Sequence, residues 1–162
     1  MDINSRQVSR AALIAALYFS ATVALQPLGY GPVQFRVSEA LAVLPFLLPR
    51  SAVPGLFVGC LMANLFGGYG LPDIVFGSLA TLVAAHMTAR CKSRFTAPIP
   101  PILVNALVIG PMLYVLYYGG PEAMPLWLPV LQVGAGQLAA CYGLGLPLLA
   151  LLERLMPSER AD

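Results

Sequence analysis

The sequence predicts an all-α integral membrane protein, a bundle of six transmembrane helices with both termini in the cytoplasm. Three observations lead to this fold class. Of the 162 residues, 59% are hydrophobic and only 10% are charged, whereas a soluble domain carries about 25% charged residues. Apolar segments recur along the chain, and basic residues cluster between alternate pairs of them. A chain of this size, residues 1–162, predicts a single membrane domain.

Six apolar segments predict the helices, in the order 11–26, 37–49, 51–68, 71–89, 99–118 and 125–152. A hydrocarbon core of about 30 Å requires about 20 helical residues, so the third to sixth segments are long enough to cross it. The first segment is slightly short and also resembles a secretory signal, but the apolar segments after it favour a retained first helix. Segment 37–49 is clearly short. We expect a steep, partly buried helix or a re-entrant helix there.

The connections between the segments contain turn-forming or basic residues. The stretch GGYGLPD at 67–73 predicts a tight external turn, because glycine and proline favour turns. The stretch RCKSRFTAPIPP at 90–101 predicts a basic internal loop that proline ends. The stretch YGGPEAMP at 118–125 predicts the last external loop.

The basic residues orient these segments. With the amino terminus inside and six crossings, the internal regions are 1–10, the surroundings of Arg50, 90–98 and 153–162. Eight of the nine basic residues then lie on the internal side, and only Arg36 lies outside, as the positive-inside rule expects. Five crossings would move Arg154 and Arg160 to the outside and remove this asymmetry. The distribution of charge therefore favours six crossings.

Several classes of function do not fit this chain. A net charge of +2 predicts no nucleic-acid partner. The three cysteines are far apart, and with a single histidine they form no metal-ligand pattern, so we expect no metal and no cofactor. Ser78 and His86 would be separated by about 12 Å along one helix, too far for a catalytic pair. The only lysine, Lys92, follows no phosphate-binding glycine loop. We expect neither an enzyme nor an ATPase.

Polar side chains stand in or beside the apolar segments. Groups of this kind at membrane depth cost roughly a few kcal/mol each and usually face a cavity or a partner. The nine residues are Gln34, Arg36, Glu39, Asn64, Asp73, His86, Asn105, Gln132 and Gln137. Six of them lie near the outer ends of the segments, namely Gln34, Arg36, Glu39, Asn64, Asp73 and Gln132. This crowding predicts a ligand pocket that opens to the outside.

Six of these residues also have a purely structural interpretation. Arg36 and Glu39 are three residues apart and could neutralise one another on one helix face. Asp73 stands at a helix start, where a carboxylate caps free N–H groups and suits the helix dipole. Asn64 and Asn105 could join neighbouring helices by hydrogen bonds. His86 fits an ordinary interfacial imidazole better than a pocket residue.

Aromatic residues surround the same outer rim. They are Tyr30, Phe35, Tyr69, Tyr117, Tyr118 and Trp127. Membrane interfaces normally hold such residues, and the same rings would also suit stacking against a flat ligand.

Small residues recur at helical spacing on the first segment. Ala11 and Ala15 are four residues apart, and so are Ala12 and Ala16. This spacing lets a second helix approach closely in lipid. The close helix could belong to this chain or to a partner.

The stretch GPVQFRVSEALAVLPF, followed by PGLFVGCLMANLFGGYGLPDIVFGSLATL, resembles the QueT family of S-components of energy-coupling factor transporters. The likeness continues through PIPPILVNALVIG and VGAGQLAACYGLGLPLL. The resemblance implies a six-helix bundle in the bacterial cytoplasmic membrane that binds a queuosine precursor on its outer side. It also implies a transmembrane scaffold protein and two cytoplasmic ATPases as partners, with the scaffold docking on Ala11 and Ala15 or on Ala12 and Ala16.

The resemblance also suggests roles for the binding residues, which we predict to be Gln34, Arg36, Glu39, Asn64, Asp73, Asn105, Gln132 and Gln137. A 7-deazaguanine presents N1–H and an exocyclic amine as adjacent donors, which suit one carboxylate. We assign that contact to Glu39, with Asp73 as the second choice. Asn64, Gln132 and Gln137 would address the carbonyl group and the 7-substituent. Family members often carry glutamate at the position of Gln137, so the 7-substituent stays open.

Three other functions are compatible with the sequence. The chain could be an S-component for another vitamin-like solute. It could be a structural membrane subunit, in which the polar residues pair among themselves and leave no pocket. It could also be a carrier that transports its solute without ATPases.

Overall fold

The computed structural model describes residues 4–25, 36–68, 70–122, 124–156 and 158–159, and these residues form helices and no strand. Five longer helices are α1 Ser5–Ala24, α2 Pro49–Gly67, α3 Asp73–Ala89, α4 Ile99–Leu116 and α5 Trp127–Leu155. A 3₁₀ helix, Val37–Phe46, lies between α1 and α2 and is called the 3₁₀ segment below. A short 3₁₀ turn, Gly120–Glu122, precedes α5.

Four of these helices, α1, α2, α4 and α5, are long and apolar enough to cross a membrane by length and composition. The 3₁₀ segment and α3 are shorter apolar helices. Together the described helices overlap all six predicted apolar segments. Large apolar side chains such as Leu13, Phe66, Leu107 and Leu131 are exposed on the four long helices, an arrangement that suits hydrocarbon better than water.

The 3₁₀ segment explains how the short apolar stretch of the sequence is used. Its ten residues extend about 20 Å at a rise of about 2.0 Å per residue, whereas an α-helix of that length would extend about 15 Å. Pro45 lies inside it and donates no backbone hydrogen bond. Most of its residues are buried, including Glu39 and Val43. The segment therefore runs through the interior of the bundle.

Two apolar clusters hold the helices together. The larger one joins α1, the 3₁₀ segment, α2 and α5 through residues that include Tyr18, Val43, Leu56 and Leu149. The smaller one joins α3, α4 and α5, and it consists of Ala80, Ile109, Met112, Leu113 and Val133.

Close contact between α1 and α2 depends on two glycines of α2. A Cβ atom added at Gly55 would lie 2.7 Å from the Ala11 carbonyl oxygen, and one added at Gly59 would lie 2.8 Å from the Ala15 carbonyl oxygen. Ala11 and Ala15 therefore pack against α2 inside the chain. Ala12 and Ala16, which lie about 100° further around the helix, are exposed.

We expect Gly59→Ala to destabilise the protein. The added methyl group would meet backbone atoms of Ala15, which cannot turn aside as a flexible side chain would. Overpacking of this kind lowers the free energy of unfolding by about 1–3 kcal/mol. Thermal unfolding in detergent measures the change, with Gly143→Ala as the control because a Cβ at Gly143 meets nothing within 4 Å. Equal melting temperatures for the two variants would contradict the close contact.

A buried carboxylate near the carboxyl end joins three separate parts of the chain. Glu159, which is 6% exposed, accepts hydrogen bonds from the backbone N–H groups of Arg50 and Ser51 at 3.0 Å. It also accepts from the Ser51 hydroxyl group and pairs with the Arg10 guanidinium group at 3.2 Å. The N–H groups at a helix start have no partner within the helix, so Glu159 caps α2 and ties it to α1. We did not predict this role for Glu159.

Candidate functional site

A polar cavity lies between the 3₁₀ segment, α2, α3, α4 and α5. Its lining residues are Arg36, Glu39, Cys60, Gly77, Thr81, Asn105, Ile109, Val133 and Gln137. The cavity has a volume of about 20 Å³, which is enough for one water molecule. Small-molecule sites enclose about 300–1,000 Å³, so the cavity is far smaller than such a site. A heterocycle can therefore enter only if the lining side chains move apart.

Glu39 is the buried charged residue of this cavity, and it is 4% exposed. It lies in the first turn of the 3₁₀ segment. The Tyr18 hydroxyl group donates a hydrogen bond to Glu39 Oε1 at 2.5 Å, and the Cys141 thiol donates to the Glu39 backbone oxygen at 3.4 Å. A buried carboxylate needs such donors because removing it from water is costly. The side chain and backbone of Glu39 are thus both held by neighbouring helices.

Two amides face the same cavity with hydrogen-bonding capacity to spare. Asn105 on α4 is 5% exposed, and its side-chain amide makes no hydrogen bond to any described residue. Gln137 on α5 is 6% exposed, and within the described part of the chain its side chain receives only a weak contact, from the Cys141 thiol to Oε1 at 3.6 Å. Buried amides in proteins normally have partners. The unused groups are therefore available to a molecule in the cavity.

Asn64 and Asp73 are buried beside the cavity and are bonded to other parts of the chain. The Asn64 amide donates to the Asp73 backbone oxygen at 2.9 Å, and the Tyr117 hydroxyl group donates to Asp73 Oδ2 at 2.6 Å. These contacts hold the π-helical turn Asp73–Gly77, whose last residue lines the cavity. A Cβ atom at Gly77 would lie only 2.8 Å from Asn64 Nδ2. Both side chains therefore shape one wall of the cavity.

The two π-helical stretches in α3 and α5 both adjoin the cavity. The first is Asp73–Gly77, and the second, Ala139–Gly145, contains Cys141. A π-helical turn shifts the register of the residues that follow it and is frequent at functional sites. Here the turns lie next to the residues that form two sides of the polar cavity.

A sequence model of one protein family, described as QueT transporter, matches residues 8–154. The chain belongs to the QueT transporter family. With its four long apolar helices, this family member is a multi-pass membrane protein.

A relative named "Queuosine precursor transporter QueT", from Lactococcus lactis subsp. cremoris strain MG1363, is 35% identical over 86 residues. That match covers 52% of this chain and 50% of the relative. The chain thus spans about half the length of the curated relative it matches. No solved structure matches the chain.

Within this QueT family member, four of the eight predicted binding residues line the cavity. They are Arg36, Glu39, Asn105 and Gln137. Asn64 and Asp73 are buried next to it, in the bonded arrangement described above. Gln132 on α5 is half-buried and does not line the cavity. Gln34 lies outside the described residues, as do Tyr30, Phe35 and Tyr69.

Several residues of the QueT cavity were not predicted from the sequence. Cys60 is one of them: its sulfur accepts a hydrogen bond from the Thr81 hydroxyl group at 3.3 Å, and both residues line the cavity. Thr81 follows Gly77 by one helical turn, so the two share one face of α3. That spacing is the only sequence signal that could have indicated Thr81. Among the described residues, no group of three or more histidine, cysteine or acidic side chains could hold a metal ion.

Proposed function

We propose that this chain is the substrate-binding S-component of an energy-coupling factor importer. It captures a queuosine precursor, which is a 7-deazaguanine derivative, queuine or queuosine, from outside the cell. Membership in the QueT transporter family and the name of the Lactococcus relative support this assignment. The observation that carries it is the polar cavity, in which Glu39, Asn105 and Gln137 meet inside an otherwise apolar bundle.

The chemistry of the cavity suits a guanine-type edge. The Glu39 carboxylate accepts hydrogen bonds from N1–H and the exocyclic amine, two adjacent donors. The amides of Asn105 and Gln137 each offer a donor and an acceptor, so they can address the carbonyl group and the 7-substituent. Asn64 and Asp73 support the wall that contains Gly77, and Asp73 stays the second choice for the acidic contact. The cavity opens as the ligand enters.

The proposed membrane arrangement has six crossings in the bacterial cytoplasmic membrane, with both termini inside and one membrane domain. Two contacts support it: Arg10 pairs with Glu159, and Glu159 accepts a hydrogen bond from the start of α2. Together they bring three predicted internal regions to one end of the bundle. The scaffold protein docks on the exposed face of α1 that contains Ala12 and Ala16. Two cytoplasmic ATPases supply the energy for transport, and lipid surrounds the remaining apolar surface.

Ligand-dependent thermal unfolding of the purified protein tests the proposal. The panel contains 7-deazaguanine, its 7-cyano and 7-aminomethyl derivatives, queuine and queuosine, with guanine, riboflavin, thiamine and biotin for comparison. A ligand at 100 times its Kd stabilises the folded state by about 2.7 kcal/mol, which raises the Tm by about 5–10 °C. We expect this rise with at least one deazaguanine. A rise with a vitamin alone would indicate another S-component, and no rise would favour a structural subunit. Uptake into vesicles without ATPases would indicate a self-sufficient carrier.

We expect Asn105→Leu to weaken ligand binding about tenfold without destabilising the protein. Its buried amide makes no hydrogen bond to a described residue, so an apolar replacement of similar size removes a desolvation cost and leaves no described partner unsatisfied. The comparison variant is Asn64→Leu, which removes the bond to the Asp73 backbone oxygen and should lower the free energy of unfolding by about 1–3 kcal/mol. Melting temperatures and Kd values separate the two. An equal loss of stability in both variants would show that Asn105 is structural.

A further inference from the structure

Tyr18 reaches the cavity carboxylate from a helix that does not line the cavity. It is 1% exposed, and its ring belongs to the larger apolar cluster. Its hydroxyl group donates to Glu39 Oε1 at 2.5 Å. No lining residue comes from α1. The contact therefore acts on the orientation of Glu39 and not directly on a molecule in the cavity.

The same part of α1 also contacts the residue that precedes Glu39 in the 3₁₀ segment. One helical turn after Tyr18, the Thr22 hydroxyl group contacts the Ser38 hydroxyl group at 2.8 Å. From α5, the Cys141 thiol donates to the Glu39 backbone oxygen. The free glutamate side chain has three rotatable bonds, and ordering it on ligand binding would cost conformational entropy. Contacts that order it beforehand reduce this cost.

We propose that Tyr18 is a positioning residue that makes the cavity selective for ligands with two adjacent donors. The inference rests on the proposed function. Each carboxylate oxygen has two lone pairs, so Oε1 can accept from Tyr18 and still accept from a ligand. With the torsion of Glu39 held in this way, both of its oxygens present lone pairs to the paired N1–H and amine groups of a guanine-type ring. A ring that lacks the amine uses only one of these contacts.

Loss of the Tyr18 hydroxyl group should therefore reduce selectivity more than it reduces binding in general. A carboxylate free to rotate keeps a single contact with almost any N–H donor, but it loses the fixed geometry that two simultaneous contacts require. A purely structural role for Tyr18 predicts a different result. In that case, both kinds of ligand would weaken by the same factor.

The test compares Tyr18→Phe with the wild-type protein by equilibrium binding of 7-deazaguanine and 7-deazahypoxanthine, which differ only in the exocyclic amine. We expect the wild-type protein to prefer 7-deazaguanine. We expect its selectivity, the ratio of the Kd of 7-deazahypoxanthine to the Kd of 7-deazaguanine, to fall about tenfold in Tyr18→Phe, near the lower end of what one hydrogen bond to a charged group contributes. Tyr142→Phe is the matched control, because that hydroxyl group donates to the Phe95 backbone oxygen at 2.9 Å and Tyr142 does not line the cavity. Its ratio should equal that of the wild-type protein.

A second variant covers the case in which Tyr18→Phe does not fold. In Glu39→Asp the carboxylate is shorter by one methylene and withdraws both from Tyr18 and from the ligand, so affinity falls for both ligands, and the same fall in the ratio is expected. An unchanged ratio, or an equal loss of affinity for both ligands, overturns the positioning role. Equal binding of the two ligands by the wild-type protein overturns it as well. If the wild-type protein binds no deazaguanine at all, the proposed function itself is wrong, and this inference is wrong with it.

Discussion

We expect Glu39→Gln to weaken the binding of 7-deazaguanine by about 30- to 150-fold. This factor corresponds to about 2–3 kcal/mol, the upper part of the range for a hydrogen bond to a charged group. Glutamine has almost the same shape, but its amide replaces one acceptor oxygen by a donor, which faces a donor of the ligand. The Tyr18 hydroxyl group, which now donates to Oε1, can donate to the amide oxygen. The variant should therefore fold, and equilibrium binding to the purified protein measures the change.

Glu153→Gln is the matched control for this variant. Glu153 pairs with Arg94 at 3.5 Å, and its side chain is 30% exposed. A partly exposed pair of this kind contributes about 0–1 kcal/mol to stability, and Glu153 does not line the cavity. We expect its affinity for 7-deazaguanine to equal that of the wild-type protein. If Glu39→Gln binds as tightly as Glu153→Gln does, Glu39 is not the acidic contact, and Asp73→Asn becomes the next variant to measure.

The second large effect concerns stability, and we expect it from Glu159→Ala. The substitution leaves two backbone N–H groups at the start of α2, the Ser51 hydroxyl group and the Arg10 guanidinium group without their carboxylate. Breaking a buried ion pair by removing one member costs about 3–5 kcal/mol. For a chain of this length the Tm should fall by about 6–20 °C. Thermal unfolding in detergent measures this fall.

Glu122→Ala controls for the loss of a carboxylate alone, because Glu122 is exposed. Its Tm should differ little from that of the wild-type protein. Glu159→Gln is a useful intermediate, since its amide oxygen can still accept from α2 while the attraction to Arg10 is lost. We expect its Tm to lie between those of Glu159→Ala and the wild-type protein. A Tm for Glu159→Ala within about 1 °C of the Glu122→Ala value would contradict the capping role.

The positions of the helices in this chain follow from local sequence, because a membrane requires each apolar segment to form a helix. A backbone surrounded by hydrocarbon must satisfy its own hydrogen bonds, and a helix does so within one segment. The predicted segments 51–68 and 99–118 thus correspond closely to α2, Pro49–Gly67, and α4, Ile99–Leu116. Helix ends are less certain, because turns and caps compete there over one or two residues. The 3₁₀ form of Val37–Phe46 was not predicted, since it depends on what surrounds a segment too short to span as an α-helix.

The polar residues of the cavity also stand out in the sequence, because a charge or amide in an apolar segment is costly enough to require a partner. The partner of each residue, by contrast, depends on the tertiary structure. Asn64 and Asn105 looked alike in sequence, yet Asn64 bonds to the backbone of Asp73 and Asn105 faces the cavity. The difference depends on helix rotation and on the residues that neighbouring helices present.

The two alanine pairs on α1 show what composition, spacing and charge establish in this protein. Composition, spacing and charge establish the apolar segments, the polar residues within them and the helix faces on which small residues lie. All three depend only on the pattern of residues within one segment. Ala11 and Ala12 differ by about 100° around the helix axis, and nothing in their spacing says which pair has a partner. Packing of α1 against Gly55 and Gly59 answers that question. Contacts between distant positions, including Tyr18 with Glu39 and Arg10 with Glu159, form only when the helices are assembled. Each contact requires two segments to lie at a particular separation and to be rotated about their axes so that the two side chains meet.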